Sequence, residues 1–228
     1  SNVGASKISL SLGPKPLWKL YRDVGFGIQT SSGYPGESPG ILSSYTTWSE
    51  LELATIAFGH GIAVTSLQLA QAYSVIANYG ILKPVSFLKV DEEEQGVRVL
   101  PEEVAKQVLA MLESAVHQGG TGQKANIPLY RVAGKTGTSH KATAGGYAEN
   151  KYLSLFAGIA PVSEPRLVMI VSIDEPQGQV HFGGQVAAPV FSTVMEGALR
   201  ILDIAPDDLL SIEKKMLMAD KNGSNQYR

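Results

Sequence analysis

Apolar residues recur along this chain with two different periods, and the change of period divides it. In residues 3–12, Ile8 and Leu12 lie four apart, and Gly13-Pro14 follows. That spacing predicts a short helix with a sharp stop. Leu17, Leu20, Tyr21 and Val24 predict a second helix, stopped by Gly25. Residues 30–47, rich in Gly, Ser and Pro, read as a surface loop. Thr65-Ser-Leu-Gln68 fits a capping box, and Leu69, Tyr73, Ile76 and Ala77 form a helical stripe before Gly80. Residues 91–96 read as a solvated acidic turn. Pro101 opens an amphipathic helix with Val104, Val108, Leu112 and Ala115 inward, ending near Gly119.

Beyond Gly119 the helical spacing gives way to short apolar runs. Residues 131–138 predict a strand, and the polar stretch 139–150 a connection to a second strand over 152–160. Ser163-Glu-Pro165 is a turn, and 166–173 a third strand. The second and third runs are nearly all apolar, as in strands covered on both faces. Connections this short predict antiparallel neighbours. A last helix is predicted from Pro189 to about Leu202, with Phe191, Val194, Met195, Ala198 and Leu202 inward. From Ala205 the chain turns charged and polar. The pattern is that of an α/β (α+β) domain, with an antiparallel sheet flanked by helices over residues 1–205 and a polar tail over 206–228.

Composition narrows the chemistry. Of 228 residues, 44% are hydrophobic and 18% charged, enough apolar material for a real core. The net charge of −2 argues against nucleic acid as a partner. The absence of cysteine removes a thiol nucleophile, disulfides and Cys-based zinc. The run 167–173 is far too short to span a bilayer. His60, His117, His140 and His181 are scattered, no metal-ligand spacing appears, and no cofactor is expected.

One stretch carries chemistry. Arg131-Val-Ala-Gly-Lys-Thr-Gly-Thr138 places Lys135, Thr136, Gly137 and Thr138 at the end of an apolar strand. Lysine brings positive charge, the threonines bring hydroxyl donors, and Gly137 lets a ligand lie against the backbone. With its surroundings, this stretch resembles the Lys-Thr-Gly signature of penicillin-recognising serine acyltransferases. Ser1-Asn2-Val3-Gly4 resembles the end of the family's Ser-x-Asn motif. Gly119-Gly-Thr-Gly122 with Lys124-Ala125, Phe58-Gly-His-Gly61 and Ala187-Ala-Pro-Val-Phe191 resemble class B penicillin-binding proteins, nearest to the division-specific transpeptidases of Gram-negative bacteria.

The resemblance implies a serine β-lactamase/D,D-peptidase-like fold and a D,D-transpeptidase that cross-links peptidoglycan stem peptides through a serine acyl-enzyme. β-Lactams would acylate the same serine. By position, Lys135 would supply positive potential and assist proton movement. Thr136 and Thr138 would hold a substrate carboxylate, and the Thr138 N–H would be an oxyanion donor. Asn2 would donate its amide to the substrate, and Phe182 would form an apolar wall.

No Ser-x-x-Lys tetrad that opens a buried helix upstream of Ser1-Asn2, the place of the family's nucleophile motif, occurs in this chain, and the first Ser of Ser-x-Asn is missing as well. The chain is therefore expected to be the C-terminal portion of a transpeptidase domain, inactive alone, with the remaining N-terminal part of the same protein as its partner. The resemblance also implies division-complex membrane proteins as partners and an inner-membrane, periplasmic location. A serine β-lactamase is the nearest rival, yet no Glu-x-x-Leu-Asn loop lies between Asn2 and Lys135, which are 133 positions apart. A non-catalytic β-lactam-binding sensor or interaction domain is the other alternative; the intact Lys135–Thr138 stretch speaks against it.

Overall fold

The computed structural model describes residues 1–91, 94–143, 146–211 and 213. Glu92 and Glu93 of the acidic turn and nearly all of the far tail lie outside them. Two compact units are present, Ser1–Ala105 and Lys106–Arg228.

The first unit is mainly helical. Helix α1 (Asn2–Leu12) ends at Gly13, whose φ of 81° only glycine adopts cheaply, and Pro14 opens α2 (Pro14–Asp23). Helix α3 (Glu50–Ile56) begins with a reciprocal capping box between Ser49 and Glu52. The Ser6 and Ser9 hydroxyls of α1 donate to the Ala54 and Leu53 carbonyls at 2.8 and 3.1 Å, joining α1 to α3.

Helix α4 (Ser66–Ala77) carries the capping box read from the sequence. The Thr65 N–H donates to Gln68 Oε1 at 2.8 Å, and the Gln68 N–H to Thr65 Oγ1 at 3.1 Å. The buried stripe, however, is Gln68, Gln71 and Val75 rather than Leu69, Tyr73 and Ile76. The Gln68 amide leaves solvent because it donates to the Ile28 and Pro39 carbonyls at 2.7 and 2.8 Å. A buried amide with its partners in place costs little. Loop 28–39 is thus stapled to α4 by one side chain. A two-stranded antiparallel ribbon, β1 (Ile81–Leu82) and β2 (Val97–Arg98), completes this unit.

Helix α5 (Glu102–Ser114) contains the boundary between the units. Its buried positions are Ala105 and Leu109, continuing to Val116 beyond its end, while Val104 is 41% exposed. The inward stripe is rotated by one residue from the sequence expectation. Small Ala105 takes the position that a hydrophobicity count gives to Val104.

The second unit holds a three-stranded antiparallel sheet in the order β3 (Ala133–Thr143), β4 (Gly146–Ala160), β5 (Leu167–Asp174). Both hairpin strands run through the polar stretch that reads as a connector. Pairing extends past His140↔Tyr152 to Thr143↔Gly146, with an irregularity between His140 and Ala142. Backbone ladders need no apolar side chains, so hydropathy underestimates such an extension. Phe156–Ala160 of β4 are buried, but β5, at the sheet edge, is only half-buried. The expectation of two-sided cover therefore holds for the end of β4 alone.

Helix α6 (Gly183–Ile201) lies across the sheet and begins six residues before the predicted Pro189, which sits inside it. Ala187, Ala188, Phe191, Met195 and Leu199 are fully buried, whereas Val194 and Leu202 point outward. Phe191 meets Phe156 with ring centroids 4.8 Å apart, at the centre of a core that includes Val116, Ala125, Ile127, Tyr130 and Val132. The first residues past 205 are anchored as well. Asp207 accepts from the Arg131 and Ser163 N–H groups at 2.7 and 3.0 Å.

Candidate active site

The backbone of β3 sets the site. The Glu175 N–H donates to the Tyr152 carbonyl at 2.9 Å, so Tyr152 directs its polar groups toward β5. Successive residues of a strand alternate. Leu153, Leu155 and Ala157 therefore face β3, where they pair with Ser139, Gly137 and Lys135. Thr136 and Thr138 are left with N–H and C=O pointing to the open edge of the sheet. The Lys135 ammonium donates to the Thr136 carbonyl on that edge at 2.7 Å.

Side chains alternate across the faces of β3. Thr136 and Thr138 line a groove of about 330 Å³; Lys135 and Gly137 do not. The remaining lining comes from two further segments. One is the turn 119–125, which supplies Gly120, Thr121, Gln123 and Lys124. The other is the start of α6, which supplies Phe182, Gly183, Gly184 and Gln185.

Each segment is held from behind. In the turn, the Gly122 N–H donates to the Ala115 carbonyl at 2.9 Å, and a 3-10 turn, Gln123–Ala125, buries Ala125 completely. Ser192 Oγ of α6 donates to the Asn126 carbonyl at 2.8 Å. At the helix start, a Cβ on Gly183 would collide with the Gly137 and Leu155 carbonyls, and one on Gly184 with the Thr121 carbonyl. The glycine pair Gly183-Gly184 is what lets a helix end lie directly against sheet backbone.

Two hydroxyl contacts organise the groove. The Gly183 N–H donates to Thr138 Oγ1 at 3.0 Å, leaving the Thr138 hydroxyl proton free for a ligand. Thr136 Oγ1 donates to Thr121 Oγ1 at 3.1 Å, so the proton left to a ligand is that of Thr121.

Phe182 is 56% exposed at the rim and starts an aromatic row. Its ring lies 4.5 Å from that of His181, which stacks on Tyr152 at 3.7 Å and 7°. His140 lies 4.6 Å from the other side of that contact network, against Tyr152. Buried Ser154 donates its hydroxyl to the His181 carbonyl, fixing the row to β4. Two of the histidines that look scattered in sequence are therefore neighbours of one tyrosine. His117 instead sits 3.9 Å from Glu113.

Charge at the base of β3 is structural. Arg131 donates to both Glu113 oxygens at 2.7 and 2.8 Å, and this pairing raises the guanidinium pKa further. Near the hairpin, hydrogen bonds from Lys141 and Lys151 hold the Glu175 carboxyl below its ordinary range. Among the described residues no group of His, Asp and Glu is placed to hold a metal ion.

Of the expected site residues, Thr136, Thr138 and Phe182 meet at the groove, and Lys135 and Gly137 lie on the same strand but off its lining. Asn2 is in the first unit, exposed at the first position of α1. Thr121, Gln123 and Lys124 carry no role in the sequence reading. Their signal is the Gly119–Gly122 turn itself, whose motif resemblance is noted without a function for its side chains.

Comparison with known proteins agrees with this arrangement. The family model described as the penicillin binding protein transpeptidase domain matches residues 1–196. The chain is 46% identical to the "Probable peptidoglycan D,D-transpeptidase PbpC" of Pseudomonas aeruginosa, over 92% of this chain and 37% of that protein. It is 43% identical to the "Probable peptidoglycan D,D-transpeptidase PenA" of Neisseria flavescens, over 92% of this chain and 53% of the relative. It is 44% identical to "Peptidoglycan D,D-transpeptidase FtsI" of Escherichia coli, over 94% and 36% respectively. The transpeptidase domain of Burkholderia pseudomallei penicillin-binding protein 3 superposes with a TM-score of 0.86 at 42% identity, covering 91% of this chain and 63% of that one. The chain thus spans less than two thirds of each of these relatives, and it carries the mixed α/β fold of their transpeptidase domains. With a matching family model over most of its length and the Lys135–Thr138 strand edging a hydroxyl-lined groove, the chain belongs to the penicillin-binding protein transpeptidase domain family.

Proposed function

We propose that this chain forms the C-terminal part of a peptidoglycan D,D-transpeptidase domain, working on stem peptides through a serine acyl-enzyme that β-lactams intercept. The nucleophile and its base belong to a part of the domain outside these 228 residues. The observation that carries this reading is the open edge of β3, where the Thr138 N–H faces outward beside the groove lined by Thr136 and Thr138. An unpaired strand-edge amide can donate to a developing oxyanion, and the hydroxyls can take a carboxylate. In this reading Asn2 binds the substrate amide, Lys135 supplies potential near the nucleophile, Gly137 allows close approach, and Phe182 walls the groove.

The full protein acts at the division septum, anchored in the inner membrane with this domain in the periplasm, among division-complex membrane proteins. Support comes from the names FtsI and PenA among relatives above 40% identity. No described helix is long and apolar enough to cross a membrane.

Denaturing mass spectrometry after incubation with penicillin tests the assignment. This chain alone takes no adduct, and a complementing fragment bearing Ser-x-x-Lys takes one when the two are mixed. An adduct on this chain would place the nucleophile among its own serines and overturn the division of labour.

A further inference from the structure

Loop 175–182 joins the end of β5 to the groove. Its last residue, Phe182, stands at the rim, and the next, Gly183, donates its N–H to Thr138 Oγ1. That end of the loop is fixed by the Ser154 hydroxyl on the His181 carbonyl and by the stack of His181 on Tyr152. The other end begins with a strained residue. Glu175 has a φ of 47°, a left-handed conformation that a non-glycine residue keeps only when its surroundings hold it there.

What holds Glu175 is a clamp from two other strands. Its N–H donates to the Tyr152 carbonyl at 2.9 Å. Its carboxylate accepts from Lys141 of β3 at 2.9 Å and from Lys151 of β4 at 3.3 Å. Lys141 also donates to the Asp174 carboxylate at 2.9 Å, so its side chain reaches past β4 to the end of β5. Lys141 falls in the irregularity of pairing between His140 and Ala142, and a break of this kind re-aims a side chain. A single exposed ion pair contributes little; two lysines and two carboxylates gathered on one strained residue form a network.

We infer that Glu175 is a positioning residue: held by Lys141 and Lys151, it sets the course of loop 175–182 so that Phe182 walls the groove, and thereby sets how tightly the groove takes its ligand. This deepens the proposed function and rests on its reading of the groove as the ligand site. Glu175 does not line the groove, so its effect falls on binding rather than on acyl transfer.

The test uses the full-length protein and benzylpenicillin. Acylation followed by mass spectrometry against penicillin concentration separates the binding constant K from the acylation rate constant k2. A second readout, on the 228-residue chain, is the NMR shift of the His181 ring protons, which stacking on Tyr152 moves upfield. Glu175→Gln and Lys141→Met each raise K about three-fold, leave k2 unchanged and move the His181 resonances toward unstacked values. The double variant is no weaker than either single one, because both remove the same clamp. Lys141→Arg keeps the wild-type K, and unchanged spectra away from the loop show that the fold is kept. An unchanged K in Glu175→Gln, losses that add in the double variant, or a fall in k2 matching the rise in K would overturn the positioning role and leave the groove standing. A wild-type protein that penicillin does not acylate would overturn the proposed function and this inference with it.

Discussion

The Gly183 N–H donates to Thr138 Oγ1 at 3.0 Å, so the first turn of α6 is fastened to the motif strand by a side chain that also faces the groove. Replacing Thr138 by Val keeps the shape and removes the acceptor. The stranded amide is expected to cost about 1–2 kcal/mol, read from the urea midpoint, while Thr138→Ser stays within about 0.5 kcal/mol. A Val variant as stable as the wild type would mean that this bond does not hold the helix.

A methyl group at Gly184 would collide with the Thr121 carbonyl and lie 3.3 Å from Thr136 Cγ2. Gly184→Ala is expected to destabilise by about 1–3 kcal/mol and to move the Thr121 and Thr136 amide resonances. Gly197 in the same helix has open space around its would-be Cβ. Gly197→Ala is expected to stabilise by about 0.5–1 kcal/mol, since alanine loses less backbone entropy in a helix. Equal effects at both positions in a thermal melt would refute the steric argument.

Gln68 is buried with its amide on two loop carbonyls and its oxygen on the Thr65 N–H. Gln68→Ala strands all three and leaves a void, so a loss of about 2–4 kcal/mol is expected. Amide exchange in loop 28–40 should accelerate more than in α2.

Glu37 accepts from the Thr30 hydroxyl and amide at 2.5 and 2.8 Å and from Ser32 Oγ at 3.1 Å. The Thr30 hydrogen bonds, first of all, hold its pKa below the ordinary 4.5. A depressed carboxylate binds fewer protons folded than unfolded. Its stabilising contribution is complete above the ordinary value and is lost as pH falls through the folded one. Acid should therefore loosen loop 30–37, and Glu37→Gln should flatten the fall in melting temperature below about pH 4.5. A parallel fall in both proteins would remove Glu37 from the account.

Periodicity located the elements of this chain better than their faces. Val104 and Val194 look inward by hydropathy and lie outward, while the residues next to them, Ala105 and Met195, are the buried ones. Gln68 and Gln71 look outward and are buried, because their partners come from residues distant in sequence. Strand pairing beyond Thr138 left no hydropathic trace at all. The site divides in the same way. Thr136 and Thr138 are legible because chemistry and motif coincide at adjacent positions. Thr121 and Lys124 reach the groove only through the fold, and the row of His140, Tyr152 and His181 is assembled from three separate segments.

Helix α6 carries the groove at one end and the core along the rest. From Gly184 to Leu199 it runs about 22 Å at 1.5 Å per residue. Phe191, Met195 and Leu199 are its fully buried grips. A rigid rod clamped over most of its length acts as a lever: a small tilt where Leu199 is seated is carried to the glycine tip beside Thr121 and Thr138. Sensitivity of ligand recognition is thereby extended to hydrophobic positions that no ligand can touch.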